Sequence, residues 1–227
     1  MQKKKISNGT LAAIIVLAII IADQVIKIWV KTSFRLGESM PFTNWAELYF
    51  IENPGMAFGI ELGGKLFLSI FRILASVALV YFLFKIRKNE AYPKSFVVCL
   101  SMVTAGAIGN VIDGMFYGLI FSESTWYSVA TLFPEGGGYG TFLHGLVVDM
   151  FHFPLVQGTW PDWMPWLGGR PFKFFEPVFN FADSCVTVGT FYLIFFQYKF
   201  FAQDGKVESE QPEATPTKHA EGRKRKK

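Results

Sequence analysis

Asp183 opens the last long apolar segment, within Phe179-Asn180-Phe181-Ala182-Asp183-Ser184, and no other residue from Val178 to Phe196 is charged. A carboxylate carried into hydrocarbon costs several kcal/mol unless it is protonated, paired or hydrated, so such a residue marks a site. A second acid in similar surroundings, Asp149 in Leu146-Val147-Val148-Asp149-Met150-Phe151, supplies a partner. Two carboxylates within hydrogen-bond reach do not both ionise, so one keeps a proton near neutral pH while the other polarises a water. The chemistry open to them is that of an aspartic protease. The neutral acid donates to the scissile carbonyl and the ionised one takes the water proton, with no metal, cofactor or covalent intermediate required. Such a pair titrates as a unit, and the sequence does not say which member starts protonated.

Further polar residues stand in apolar company. Asp23, Gln24 and Lys27 lie in the first apolar run, with Asp23 and Lys27 four apart and so on one helix face. They are either a self-paired couple or the ordering element of a polar interior. Glu52-Asn53-Pro54-Gly55-Met56-Ala57-Phe58-Gly59 reads as a turn. Asn53, pushed towards an extended backbone by Pro54, either belongs to an ordinary hairpin or ends an edge that binds peptide by strand addition. Arg72, inside the second run, either snorkels to an interface or serves the site. Asn110 and Asp113, three apart in Gly109-Asn110-Val111-Ile112-Asp113-Gly114, share a face. Rival hydrolytic designs lack their signatures: there is no His-Glu-x-x-His pattern and no Gly-x-Ser-x-Gly turn.

The elements that must position these groups are membrane helices. The chain of 227 residues is 51% hydrophobic and 17% aromatic, which excludes an ordinary soluble domain of its size. Runs at 11–30, 66–84, 96–112 and 178–200 approach the roughly 20 residues that cross hydrocarbon. An α-helical polytopic protein with four spans is expected, as one domain over 1–202, followed by a polar basic tail at 203–227. If both termini are cytoplasmic, 15 of the 22 Lys and Arg lie inside and five outside, so the positive-inside rule selects that topology. The first run then reads as a span rather than a cleaved signal. Cys99 and Cys185 read as small apolar fillers. The last helix is expected to start near Phe179, with Pro177 in its first turn and Asp183 roughly 7 Å in from its end. Residues 45–60 alternate well enough for short strands. Residues 115–177 form a second outer region whose glycine-rich and Trp-rich stretches read as flexible and interfacial pieces. The basic tail suits solvation or anionic lipid rather than nucleic acid.

Taken in order, Asp23-Gln24-x-x-Lys27, Glu52-Asn53-x-Gly55-x-Ala57-Phe58, Gly109-Asn110-x-x-Asp113, Val147-Val148-Asp149 and Phe179-Asn180-x-Ala182-Asp183 resemble the motifs of lipoprotein signal peptidase, or signal peptidase II. The resemblance implies an aspartic endopeptidase of the bacterial inner membrane with four helices, an outer β-cradle and its active site near the periplasmic face. It would cleave prolipoproteins before a diacylglyceryl-modified cysteine, and a globomycin-type cyclic peptide would inhibit it. By motif position Asp149 and Asp183 would be catalytic. Asp23, Lys27, Asn53, Gly55, Asn110, Asp113, Asn180 and Ala182 would support the site or contact substrate. Where family members carry Arg after the third-motif aspartate, this chain has Gly114, and Arg72 is expected to take over that charge. The spacings of 36 from Asp113 to Asp149 and 34 from Asp149 to Asp183 exceed those of compact members, so 123–141 and 157–173 are expected to be added lid or interfacial elements. The rival class is a proton- or ion-coupled transporter using the same intramembrane aspartates.

Overall fold

The computed structural model describes residues 6–54, 65–174 and 177–196. Helix α1 (Asn8–Ser33) begins at Ser7, whose hydroxyl accepts from the Thr10 amide at 3.1 Å, and runs on apolar residues into its charged outer turns. Helix α2 (Lys65–Ile86) exposes Phe67, Phe71, Leu74, Val77 and Tyr81, a face suited to lipid rather than water. Helix α3 (Lys94–Ile112) follows Pro93, which supplies an extended entry. These helices are long and apolar enough to cross a membrane, and the chain reads as an integral membrane protein. Helix α5 (Phe181–Phe196) is shorter over its described residues, and 197–200 of the expected fourth run lie outside them.

Two boundaries differ from the sequence reading. The third helix does not stop at 112: it passes through a π-helical turn (Asp113–Tyr117) into α4 (Gly118–Ile120). Met115 to Ile120 is apolar enough to continue, and Gly114 interrupts nothing. The returning chain bonds carbonyls of both pieces. Gly145 N–H donates to Gly114 O of the π turn at 2.9 Å and Gly140 N–H to Gly118 O of α4 at 2.8 Å. Half of the glycine-rich stretch is therefore packed against α4 rather than loose. The last helix also starts later than expected. Phe179 belongs to strand β6 (Val178–Phe179) and Pro177 precedes that strand, so Asp183 is the third residue of α5 rather than the fifth.

The strands form a four-stranded antiparallel sheet in the order β1 (Ser39–Thr43), β2 (Ala46–Asn53), β3 (Val147–His152), β6. One face of β2 and β3 supplies Leu48, Phe50, Val148 and Met150 to a core completed by Val30, Phe34, Tyr117 and Phe121. The alternation read in residues 45–60 thus yields β2 up to Asn53, and 55–64 lie outside the described residues. A separate hairpin, β4 (Val156–Thr159) and β5 (Pro171–Phe174), brackets the Trp-rich stretch. At the other end of the bundle, Leu83, Ile86, Phe96, Val97 and Leu100 pack into a second core. Cys99 and Cys185 are buried free thiols.

Candidate active site

The site forms where the sheet meets the start of α5. Asn180 sits just ahead of that helix, and its Oδ1 accepts from the Asp183 amide at 2.8 Å, which caps one of the orphan amides of the first turn. The Asp183 carboxylate returns to the Asn180 amide at 3.4 Å, the reciprocal arrangement of a capping box. Asp183 is therefore a helix-capping acid as well as a candidate catalyst, which explains how a carboxylate is tolerated at the head of an apolar helix.

From the same position Asn180 reaches the second acid, its Nδ2 donating to Asp149 Oδ1 at 2.7 Å. Asn53, at the end of β2, donates to the other oxygen, Oδ2, at 3.1 Å. Asp149 lies on β3 opposite Ile51 and is 1% exposed. Burial first, and then the charge of Asp183, pushes its carboxyl up to about 7, against the opposing pull of the Asn53 and Asn180 donors and of Lys27. No hydrogen bond joins the two carboxylates directly. Asn180 holds one by its side chain and the other by its backbone and Oδ1, while Asn110 Nδ2 donates to Asp183 Oδ1 at 2.8 Å and Asn110 Oδ1 accepts from Asn180 at 3.2 Å.

Behind this pair stands a buried ionic frame. Lys27, fully buried, contacts Asp113 at 2.7 Å and Asp23 at 3.0 Å, and donates to Asn110 Oδ1 at 2.9 Å. The couple read as Asp23 with Lys27 is thus real and also reaches into the site. Asp23 Oδ1 accepts from the Ala182 amide at 2.9 Å, a second capped donor of α5. This needs α1, α3 and α5 to approach closely, and Gly109 allows it: a Cβ there would stand 2.6 Å from Asp23 Oδ2 and 3.3 Å from the Ala182 Cβ. Sequence reasoning did not give separate roles to Gln24 and Tyr117. Gln24 Nε2 donates to Asp113 Oδ1 at 2.9 Å, and Tyr117 O–H donates to Gln24 Oε1 at 3.1 Å. Gln24 stood beside Asp23 in the motif, whereas Tyr117 sat in an apolar run and carried no polar signal.

Arg72 stands apart from these bonds. It lines a narrow cleft with Ser69, Asn110 and Gly114, its guanidinium within electrostatic range of Asp183, Asp149 and Asp113 but bonded to none of them. A Cβ at Gly114 would meet only Ser69 Oγ, at 3.8 Å, so the space left by that glycine opens towards α2. Gly55 lies outside the described residues. Asp183 also opens on a groove of about 370 Å³ lined by Phe179, Ser184, Thr187 and Val188. An apolar groove lined by one carboxyl, with a second carboxyl tied to the same asparagine, can bind a greasy chain and hydrolyse a bond beside it.

Comparison with known proteins agrees. The family described as "Signal peptidase (SPase) II" matches residues 15–199. The lipoprotein signal peptidase of Porphyromonas gingivalis is 52% identical over 190 residues, covering 84% of both chains. That of Amoebophilus asiaticus is 34% identical over 181 residues, covering 77% of this chain and 72% of its own. A solved bacterial membrane enzyme superposes with a TM-score of 0.54 over 90% of this chain and 94% of its own; at 24% identity it speaks for the fold. A second superposes with a TM-score of 0.52 at 27% identity, over 81% and 89%.

Proposed function

The chain belongs to the signal peptidase II family, an aspartic peptidase family that removes signal peptides from prolipoproteins, and from that premise we propose that Asp149 and Asp183 are its catalytic pair. The observation that carries this is Asn180, which bonds both acids, one of which lines an apolar groove. The transporter reading gives way, because the family match covers most of the chain and is to a peptidase.

In the proposed cycle Asp149 holds the shared proton, since its carboxyl is pushed up to about 7, and Asp183 acts as base. A water between them gives a proton to Asp183 and attacks the scissile carbonyl carbon, whose oxygen takes the Asp149 proton to form a gem-diol. Asp183 then protonates the leaving nitrogen as the C–N bond breaks, and a diol proton returns to Asp149. Asn53 and Asn180 orient Asp149, Asn110 orients Asp183, and the Lys27, Asp23 and Asp113 frame holds α1, α3 and α5 in place. Ala182 presents the amide that Asp23 caps. Arg72 supplies from α2 the positive charge that Gly114 cannot.

The remaining reading is of a four-span protein with both termini cytoplasmic, the sheet forming an outer cradle and the site near the periplasmic face of a bacterial inner membrane. The groove beside Asp183 would take the lipid-bearing part of a diacylglyceryl prolipoprotein, with cleavage before the modified cysteine, and a globomycin-type peptide would compete there. Segments 123–141 and 157–173 would lie over the site or on the lipid surface. The deciding experiment is cleavage of a lipidated prolipoprotein in detergent. Asp149→Asn and Asp183→Asn, each nearly isosteric, should abolish turnover with thermal unfolding unchanged; full activity in either would end the proposal.

A further inference from the structure

Beneath the sheet the described residues bury a second charged cluster that the proposed reaction does not use. Lys31, in the last turn of α1, is 0% exposed. Its Nζ bonds the Glu52 carboxylate and donates to Ser124 Oγ at 2.8 Å, and it lies over the rings of Tyr139 at 4.9 Å and Phe121 at 5.3 Å. Ser124 also donates to Glu52 Oε1 at 3.2 Å. A buried ion pair adds little net stability over apolar residues of the same shape. Its value lies in what it holds still.

What it holds is the end of β2. Glu52 pairs with Val148 and Asn53 with Val147 along the ladder. Successive strand residues point to opposite faces, so Glu52 faces the Lys31 cluster while Asn53 faces Asp149, to which it donates at 3.1 Å. Fixing Glu52 from below sets how far Asn53 reaches above. Ser124 and Tyr139 belong to the segment inserted between α4 and β3. The Tyr139 hydroxyl accepts from the Leu146 amide at 2.7 Å, just ahead of the strand that bears Asp149.

We propose that Lys31 and Glu52 are positioning residues: their buried pair, latched by Ser124 and Tyr139 of the insertion, keeps Asn53 within hydrogen-bond reach of Asp149. This rests on the dyad reading above. It also makes the insertion a part of the catalytic apparatus rather than a spacer.

The test is a double-mutant cycle in the full-length enzyme, read on the alkaline limb of kcat/KM for prolipoprotein cleavage. Asn53 favours the ionised form of Asp149, so loosening it moves that limb upward. Lys31→Met with Glu52→Gln removes both charges, leaving neither buried alone. The limb should rise by about half a pH unit or more, and adding Asn53→Ala should move it no further. Ser124→Ala, which keeps the ion pair, should give a smaller rise that Asn53→Ala again absorbs, and it carries the test if the double variant folds poorly. A limb that stays in place while activity and thermal stability fall would show a merely structural pair and overturn the proposal. Additive shifts would overturn the route through Asn53. Cleavage surviving in Asp149→Asn or Asp183→Asn would instead sink the dyad reading, an outcome the Lys31 variants do not mimic.

Discussion

Asn180 does two jobs, and substitution by serine separates them. Serine caps a helix about as well as asparagine, so the bond to the Asp183 amide is kept in kind. Its hydroxyl ends one bond short of the Nδ2 that spans to Asp149 at 2.7 Å and to Asn110 at 3.2 Å, so the bridge is lost. A hydrogen bond to a charged group is worth about 1.5–3 kcal/mol and one between neutral groups about 0.5–1.5. The Asn180 donor therefore favours ionised over neutral Asp149 by about 1–1.5 kcal/mol, or roughly one pKa unit. Removing a donor to the charged form raises the carboxyl further. With Asp149 at about 7 in the intact site, the alkaline limb of kcat/KM should move towards about 8 in Asn180→Ser. At the optimum, kcat/KM should fall by about 10- to 100-fold as the acid loses its orientation, with the unfolding midpoint nearly unchanged. Asn180→Ala should match this pH profile but lose about 1 kcal/mol of stability as well, because the cap goes too. The assay is cleavage of a diacylglyceryl prolipoprotein in detergent across pH, beside thermal unfolding of each variant. An alkaline limb that stays fixed or moves down in Asn180→Ser would refute the assignment of the proton to Asp149.

Two further outcomes follow from the same geometry. Arg72→Gln removes the cation in range of both dyad carboxylates, so it should lower kcat/KM by about tenfold and raise the alkaline limb. Adding Gly114→Arg, whose side chain has open space towards α2, should restore part of the rate; full activity in Arg72→Gln alone would show that the charge is idle. Gly109→Ala drives a Cβ to within 2.6 Å of Asp23 Oδ2 and should destabilise the fold by about 1–3 kcal/mol on thermal unfolding, with cleavage falling as the Asp23 bond to the Ala182 amide is disturbed.

What the sequence made legible were the charges and amides that hydrocarbon cannot hide. Asp23, Lys27, Asn110, Asp113, Asp149, Asn180 and Asp183 stood out because each violates its surroundings, and the structure brings them into one connected network. Boundaries were less legible because they depend on distant partners. The helix beyond Ile112 survives Gly114 because the return of residues 140–145 takes up carbonyls of the π turn and of α4, and nothing local announces that. Phe179 became strand because Phe151 lay opposite it, a non-local pairing that overrides helical propensity in a two-residue segment. Lys31 escaped notice for a different reason. A lysine at the end of a span reads as solvated, and its burial becomes visible only once the insertion folds back over it.

That small strand bears on why the two acids are unlike. Phe151 pairs with Phe179, so β3 and β6 are locked by backbone bonds whose spacing side chains do not adjust. Asp149 is two residues from Phe151 and shares its face, while Asn180 directly follows Phe179 and begins the cap of α5. The separation of Asp149 and Asp183, the proposed dyad, is therefore inherited from a ladder register and a helix start rather than from the contacts of the carboxyls themselves. One acid emerges from a strand, where burial and the neighbouring Asp183 charge raise its pKa against the pull of the amide side chains that hold it. The other emerges at a helix N-terminus, where backbone N–H groups and the macrodipole favour negative charge. The junction of the two kinds of secondary structure thus gives the proposed acid and base their different settings, and the asparagine at that junction bonds both.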